Sequence, residues 1–182
     1  MDEKGSRQHV ERRAQFARAI PDALVPAGRL LYIGGKPGRL QMLDLYLATG
    51  WKVDILEAWH ENAEALKHWP GLDPKVAVFE GDIRALTVKD YDSVVWWHGP
   101  EHIAATEFPA VLRRIERATT RMVILASPWG RYDQGPAEGN PFEEHLWAVY
   151  PEALWALGYE TDAIGAKDRK GSNLLAWKRM GR

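Results

Sequence analysis

Short apolar runs alternate with stretches of helical spacing along most of the chain. Residues 30–33 form an apolar run that ends at a glycine-rich turn, residues 34–38, and Leu40, Leu43 and Leu47 then follow at helical spacing. An apolar run bounded by glycine predicts a buried β-strand, and apolar residues three or four positions apart predict one face of a helix. The first unit is therefore expected to be a strand, a tight turn and a helix.

The same alternation continues through the middle of the chain. Further strands are predicted at residues 53–56, 76–79, 94–96 and 122–126, and further helices at residues 61–69 and 111–115. Strands that alternate with helices at this spacing predict a parallel sheet with helices on both faces. We therefore expect an α/β fold, built as a three-layer α/β/α sandwich.

The C-terminal part departs from this alternation. Residues 151–157 predict a short helix that ends at Gly158, and two strand-like segments follow at 160–164 and 173–178. The Lys170-Gly171-Ser172 sequence between them favours a hairpin turn. The sheet is therefore expected to end in an antiparallel hairpin.

Residues 1–28 precede the first strand and form a separate N-terminal segment. Val10, Ala14 and Ala17 within it predict a helix that packs on the outside of the sheet. Charges occur throughout the first 20 residues, which excludes a secretory signal, and no run approaches the roughly 20 apolar residues of a membrane span. With no repeat or linker in the sequence, we expect one domain over residues 1–182 and no membrane partner.

The composition excludes several kinds of partner and catalytic site. The chain has 24 Lys and Arg against 25 Asp and Glu, a net charge of −1, which argues against a surface built throughout for nucleic acid. Cysteine is absent, which excludes disulfides, thiolate metal sites and cysteine nucleophiles. This favours a cytoplasmic protein.

Polar residues directly follow several predicted strands. Ligands of open parallel sheets bind beyond the carboxyl ends of the strands, where the topology changes direction. The glycine turn, Glu57, Asp82 and His98 occupy these positions. Glu57 lies 57 − 38 = 19 residues after Gly38, which is the distance at which an acidic side chain accepts hydrogen bonds from ribose hydroxyls. The alternative is a solvated carboxylate at a strand end.

The glycine turn differs from the known phosphate-binding patterns. A dinucleotide fingerprint would need glycine at positions 34, 36 and 39, where the sequence has Gly34, Lys36 and Arg39. The P-loop ending of Gly-Lys-Ser/Thr is absent as well. We therefore expect a nucleoside ligand without a pyrophosphate. A tight turn that binds no ligand is the alternative.

Four segments in this order resemble the motifs of the class I S-adenosylmethionine-dependent methyltransferases: LLYIGGKPG, VDILEAW, FEGDI and YDSVVWWHGPEHI. A later segment, HLWAVYPEALWALGYET, resembles the tail of the small-molecule branch of that family. The resemblance covers about residues 28–178. It implies a Rossmann-like, mostly parallel seven-stranded sheet with a C-terminal antiparallel hairpin. It also implies S-adenosylmethionine as cofactor and methyl transfer to a small-molecule or sugar-like acceptor.

The resemblance also implies cofactor contacts by position. These are Gly34, Gly35 and Gly38 at the methionine part, Glu57 and Ala58 at the ribose, Asp82 and Ile83 at the adenine, and Trp97 with His98 at the sulfonium. Two positions depart from the family pattern, because Tyr32 replaces an acidic residue and Lys36 replaces a glycine. Lys36 either binds the carboxylate of the cofactor or marks a site that has lost it. A binding module that has kept only the fold is therefore the alternative.

Candidate catalytic residues follow the fourth predicted strand. Gly99-Pro100 predicts the first turn of a helix, which would place Glu101 and His102 at its positive end. That field favours an ionised Glu101 and a neutral His102 able to accept a proton, with His98 as the other candidate base. Either histidine could instead only shape the turn. The three could also form a metal site, but no third histidine lies nearby in sequence, so we expect no metal.

Residues 127–147 form a long loop rich in glycine and proline. A loop of this length in a compact domain is commonly a cover for a site, and we expect its Trp129, Tyr132 and His145 to bind substrate. Packing on the surface is the alternative for these side chains.

The C-terminal segment 167–182 is basic, with six basic residues and one acid, or 6 − 1 = +5. RNA methylation is therefore a further alternative. A solvated hairpin is the commoner outcome, so we expect no nucleic-acid partner.

Overall fold

A computed structural model of the chain describes residues 3–40, 42–87, 90–165 and 172–181. Within these ranges the helices are α1 (Glu3–Ala19), α2 (Leu43–Ala48), α3 (His60–Lys67), α4 (Phe108–Ala118) and α5 (Pro151–Trp155). The strands are β1 (Arg29–Ile33), β2 (Lys52–Glu57), β3 (Ala77–Glu80), β4 (Tyr91–Trp97), β5 (Thr119–Pro128), β6 (Glu160–Gly165) and β7 (Ser172–Arg179).

The seven strands form one mixed sheet in the order β3-β2-β1-β4-β5-β7-β6. Strands β1 to β5 pair in parallel, whereas β7 is antiparallel to both β5 and β6. This confirms the mostly parallel seven-stranded sheet with a C-terminal antiparallel hairpin. Lys170 and Gly171 of the predicted hairpin turn lie outside the described residues. The chain changes direction between β1 and β4, so a crevice is expected at their carboxyl ends.

Apolar side chains on both faces of the sheet produce the layered architecture. Successive residues of a strand point to opposite faces of the sheet. The continuous apolar runs of β1, β4 and β5 therefore need a packed layer on both faces. Tyr32 and Val95 belong to one buried cluster, and Leu31 and Val94 belong to the other. The helices bury these two clusters, which confirms the predicted three-layer sandwich.

Helix α1 is present as predicted, but a different set of its residues is buried. Val10 is 64 % exposed, Ala14 is exposed and Ala17 is half-buried, whereas Phe16 is fully buried, as is Ile20 directly after the helix. The ring of Phe16 packs edge-on against Trp97 of β4, with 6.1 Å between ring centroids. The larger apolar surface of the aromatic side chain determines which face of the helix is buried.

The helix expected to start at Pro100 is not formed. Residues Pro100–His102 make a short 3-10 turn, and the N–H of Ile103 donates to the carbonyl of Pro100 at 3.3 Å. Ile103 is extended, with φ −106° and ψ 135°, so the turn ends there. The prediction of a helix dipole acting on Glu101 and His102 was therefore wrong, because one 3-10 turn does not align enough peptide groups.

None of the helices in the described ranges combines the length and the apolar character that a bilayer span needs.

Replacing Phe16 by alanine is expected to lower the free energy of unfolding by about 3–5 kcal/mol, because the ring is fully buried and its removal leaves a cavity. Val10→Ala on the same helix is the control, with an expected change below about 0.5 kcal/mol because Val10 is exposed. Urea unfolding followed by tryptophan fluorescence measures both. An equal loss in the two variants would contradict the packing of α1.

Candidate functional site

A cavity of about 740 Å³ lies at the carboxyl ends of β1, β2 and β4. The structure brings together around it all but one of the residues predicted from sequence as site residues. They are Gly34, Gly35, Lys36, Glu57, Ala58, Asp82, Ile83, Trp97, His98, Glu101, His102, Trp129, Tyr132 and His145. Gly38 is exposed in the turn and is not part of the lining. The roles of these residues stay predictions.

The glycine turn requires glycine at its first two positions. Gly34 and Gly35 have φ values of +81° and +151°, in the region that favours glycine. A Cβ atom at Gly35 would collide with the side chain of Leu40. The N–H of Gly34 donates to the carbonyl of Leu56 at 2.8 Å, which fixes the turn against the end of β2.

Glu57 is a buried carboxylate at the end of β2. Its Oε2 accepts the N–H of Gly35 at 2.8 Å, and its Oε1 accepts the N–H of Trp59 at 2.9 Å. Burial raises the pKa of Glu57, and the backbone hydrogen bonds oppose that rise. Each carboxylate oxygen has a second lone pair, so Glu57 can accept further hydrogen bonds from a ligand in the cavity.

Asp82 caps the short turn Ile83–Ala85 that follows β3. Its Oδ1 accepts the N–H of Arg84 at 2.8 Å, and its Oδ2 accepts from the guanidinium of Arg84 at 2.6 and 2.8 Å. Partial burial raises the pKa of Asp82, but the hydrogen bonds from Arg84 outweigh it and the net pKa is lowered. Asp82 is therefore an ionised acceptor at the edge of the cavity, while the side chain of Ile83 is buried.

The two residues that depart from the family pattern leave the cavity open. Lys36 forms an ion pair with Glu138 of the long loop, with 2.8 Å between Nζ and Oε2. Tyr32 is buried in the sheet, where its hydroxyl hydrogen-bonds with the backbone of Met42, and burial raises its pKa. Neither side chain fills the crevice between the glycine turn and Glu57. Trp97 is 5 % exposed, so only a small part of the indole reaches the cavity.

Glu101 is a buried carboxylate between two histidines. Its Oε1 lies 3.4 Å from Nδ1 of His98 and 3.9 Å from Nε2 of His102. Within the described part of the chain, neither oxygen of Glu101 accepts a hydrogen bond. His98 has φ +52°, an uncommon conformation for a residue with a Cβ, and such strain concentrates at functional sites.

The long loop folds back over the turn that contains Glu101. The backbone N–H of Leu146 donates to the carbonyl of Glu101, and the indole of Trp147 donates to the carbonyl of Pro100, both at 2.8 Å. The imidazoles of His145 and His102 consequently pack edge to face, with 4.9 Å between ring centroids. Tyr132 and Trp129, also predicted from sequence, lie at the rim, and Tyr132 is 61 % exposed.

Several lining residues were missed from the sequence. They are Arg12, Arg39, Arg84, Arg131, Gln134, Asn140, Phe142, Glu143 and Asn173 among others. Arg12 precedes the buried Phe16 by one helical turn, so recognising Phe16 as the buried residue would have placed Arg12 on the same face. The polar loop residues carry no periodic signal, because the loop has no regular structure.

The basic C-terminal segment is neutralised where the structure describes it. Lys178 pairs with Glu116 at 2.8 Å, and Arg179 pairs with Asp22 at 3.0 Å and Glu160 at 2.8 Å. These two cations are therefore directed at neighbouring acids on the protein surface.

Glu138→Gln is expected to loosen the loop over the glycine turn, because it removes the ion pair with Lys36. Amide hydrogen exchange of the residues around position 138 should become faster, while the urea midpoint stays unchanged, since the pair is exposed. Asp133→Asn is the matched control, because its partner Arg131 lies in the same loop. An equal acceleration of amide hydrogen exchange in both variants would contradict the conclusion that this ion pair holds the loop against the glycine turn.

No protein-family model matches the sequence, and no curated protein sequence matches it significantly. Similar solved structures do exist. The N-terminal domain of EvdMO1, solved in the presence of SAH and D-fucose, is 19 % identical, with a TM-score of 0.65 over 93 % of this chain and 83 % of that chain.

Two further structures are similar to the same extent. Magnesium protoporphyrin IX methyltransferase from Synechocystis PCC 6803, with bound SAH, is 16 % identical, with a TM-score of 0.64 over 95 % of this chain and 83 % of that one. The 1,6-didemethyltoxoflavin-N1-methyltransferase of Burkholderia thailandensis is 15 % identical, with a TM-score of 0.64 over 96 % of this chain and 80 % of that one. At these identities the similarity concerns the fold, and the chain has the fold of the class I S-adenosylmethionine-dependent methyltransferases.

Proposed function

We propose that the protein is an S-adenosylmethionine-dependent methyltransferase that acts on a small-molecule, sugar-like acceptor. The observation that carries this proposal is the open cavity at the strand ends, where the glycine turn and the buried carboxylate of Glu57 are joined by a hydrogen bond. Among structures with similar folds, one of the N-terminal domain of EvdMO1 and that of the magnesium protoporphyrin IX methyltransferase have SAH bound. The cofactor would lie along the same crevice.

The cofactor contacts follow the strand ends. Gly34 and Gly35 would admit the methionine part close to the backbone, and Lys36 would offer a positive charge to its carboxylate. Glu57, beside Ala58, would accept hydrogen bonds from the ribose hydroxyls. Asp82 would accept from the adenine amino group. Gly38 would support this arrangement only through the conformation of the turn.

Methyl transfer makes modest chemical demands on the protein. The bond between the methyl carbon and the sulfonium sulfur breaks as a bond from that carbon to an acceptor oxygen or nitrogen forms, and S-adenosylhomocysteine leaves. A proton on the acceptor must pass to a base. Holding the acceptor in line with the methyl group can lower the activation barrier by up to about 7–11 kcal/mol.

We propose His98 as that base, with the buried carboxylate of Glu101 as its neighbour, 3.4 Å from Nδ1. Nδ1 of His98 faces the buried Glu101 carboxylate, which leaves Nε2 to accept the proton. His98 directly follows Trp97 at the strand end where the sulfonium would lie. His102 is the second candidate. Its Nε2 is also free, because Nδ1 donates to the carbonyl of Glu144, but its side chain is only 15 % exposed against 32 % for His98.

The acceptor would lie under the long loop, residues 127–147. Polar and aromatic side chains of this loop line the cavity, including Trp129, Tyr132 and His145. Such a lining suits a hydroxylated small molecule, because it offers both hydrogen bonds and apolar faces. The structure of EvdMO1 in the presence of D-fucose supports a sugar-like acceptor. The single domain over residues 1–182 and the cytoplasmic location stay predictions.

The two alternatives from the sequence are less well supported. A module that had lost the cofactor would be favoured by side chains filling the crevice, but the cavity is open and Lys36 is directed at Glu138. RNA methylation would use unpaired cations of the C-terminal segment. Lys178 and Arg179, the two of its basic residues that the structure describes, are paired with acids, and the other four lie outside the described residues.

Glu57→Gln is expected to weaken the binding of S-adenosylhomocysteine by at least about tenfold, because a charge-assisted hydrogen bond contributes roughly 1.5–3 kcal/mol. Isothermal titration calorimetry measures the affinity. Glu61→Gln is the matched control, since Glu61 is exposed in the first turn of α3 and lies outside the cavity. No binding to the wild-type protein at millimolar ligand, or equal losses in both variants, would refute the proposed cofactor site.

His98→Asn is expected to lower kcat by about 10²–10⁴-fold, because it removes the proton acceptor, while the affinity for S-adenosylhomocysteine stays unchanged. The assay measures S-adenosylhomocysteine released from S-adenosylmethionine with a panel of monosaccharides and phenols. His60→Asn, an exposed histidine of α3, is the control. A wild-type kcat in the His98 variant would eliminate His98 as the base.

A further inference from the structure

Three side chains with metal-binding atoms meet where the turn after β4 contacts the long loop. Glu101, His102 and His145 each offer one ligand atom, and these atoms lie within 4.8 Å of one another. All three residues line the cavity. Two imidazole nitrogens and one carboxylate oxygen are a donor set that divalent first-row transition metals accept.

Among the described residues, the carboxylate of Glu101 has two imidazoles within ion-pair distance but no hydrogen-bond donor. Its side chain is 3 % exposed, and neither oxygen accepts a hydrogen bond from the described residues. The nearest imidazole nitrogens, at 3.4 and 3.9 Å, do not meet it in hydrogen-bond geometry. A buried carboxylate without such a partner is costly, and a cation between Glu101 and the histidines would supply the missing charge.

Both histidines are oriented as metal ligands. Nδ1 of His102 donates to the carbonyl of Glu144 at 3.0 Å, and Nδ1 of His145 donates to the carbonyl of Tyr132 at 2.6 Å. A carbonyl oxygen only accepts, so Nδ1 carries the proton and Nε2 keeps a free lone pair. Histidines that bind metals typically donate their other ring N–H to such an outer partner.

The backbone around the three ligands is fixed by further hydrogen bonds. The N–H of His145 donates to the carbonyl of Gln134 at 2.9 Å, and the N–H of Leu146 donates to the carbonyl of Glu101 at 2.8 Å. Ligands at about 2.0–2.2 Å from one ion lie roughly 3–3.5 Å from each other, so side-chain rotations that bring the atoms up to about 1.3–1.8 Å closer would complete the site.

We infer that Glu101, His102 and His145 bind a divalent first-row transition-metal ion that holds an oxygen atom of the acceptor. Three protein ligands leave coordination positions open toward the cavity. The role toward the acceptor rests on the proposed methyl transfer, whereas the binding of the ion does not. A second group, His60, Glu64 and Glu80, also has its ligand atoms within 4.8 Å of one another. Its side chains are 41–65 % exposed, however, and they pair with one another or with Lys67.

The site is tested by titrating the metal-free protein with Co²⁺. Visible absorption follows the binding, and displacement by Zn²⁺ follows the release. The wild-type protein is expected to bind one Co²⁺ ion with a d–d spectrum. Glu101→Gln and His145→Gln should each lower the affinity at least about tenfold. His60→Asn, in the exposed group, is the matched control and should leave the affinity unchanged. Circular dichroism shows whether each variant is folded.

No Co²⁺ spectrum in the wild-type protein, or a loss that follows His60→Asn instead, would overturn the metal site. Acetohydroxamic acid, which binds metals through two oxygens, should shift the wild-type Co²⁺ spectrum, and an unchanged spectrum would overturn the open positions. Titration of the same metal-free samples with S-adenosylhomocysteine separates the two proposals. Cofactor binding without Co²⁺ binding removes only the metal site, and the opposite result removes only the proposed methyltransferase.

Discussion

The in-register pairing of β1 with β2 is the constraint on which the cavity depends. Ile33 lies opposite Leu56, so the glycine turn and Glu57 emerge side by side at the same edge of the sheet. The N–H of Gly35 can then reach the buried carboxylate, and its hydrogen bond partly offsets the desolvation that raises the pKa of Glu57. Glycine suits this position because φ is +151° and a Cβ would collide with the side chain of Leu40. The backbone conformation of the turn thus helps to shape this end of the crevice.

The sheet could be predicted from sequence because its signal is local and periodic. Apolar runs separated by helical spacing indicate strands and helices wherever they occur, and parallel pairing then follows from their alternation. Two weaker patterns led to wrong predictions, and each has a physical reason. Val10 and Ala14 have helical spacing, but the larger ring of Phe16 determines which face of α1 is buried. Gly99-Pro100 marks the start of a turn, yet a helix continues only if later residues stay helical, and Ile103 is extended.

The two halves of the site differed in how far sequence could predict them. Residues that follow strands must lie at the carboxyl edge of the sheet, so Glu57, Asp82 and His98 could be placed without coordinates. The loop could be recognised only by its length and composition. Its contacts depend on how an irregular segment folds back, and His145 meets His102 across 145 − 102 = 43 residues of chain. The position of His145 beside Glu101 and His102 could not be predicted from sequence, because spacing along the chain gives no signal for a contact over this distance.

The loop is held in place by two kinds of contact with different strength. Its end near His145 is fixed to the turn after β4 by the hydrogen bonds that Leu146 and Trp147 donate, in partly buried surroundings. Its tip is held over the glycine turn by the ion pair of Lys36 with Glu138, whose side chain is 67 % exposed and therefore open to screening by salt. The tip is therefore the more weakly held end of the loop, and the end near His145 is the more strongly held one. The weaker contact lies directly over the glycine turn, because Lys36 belongs to that turn.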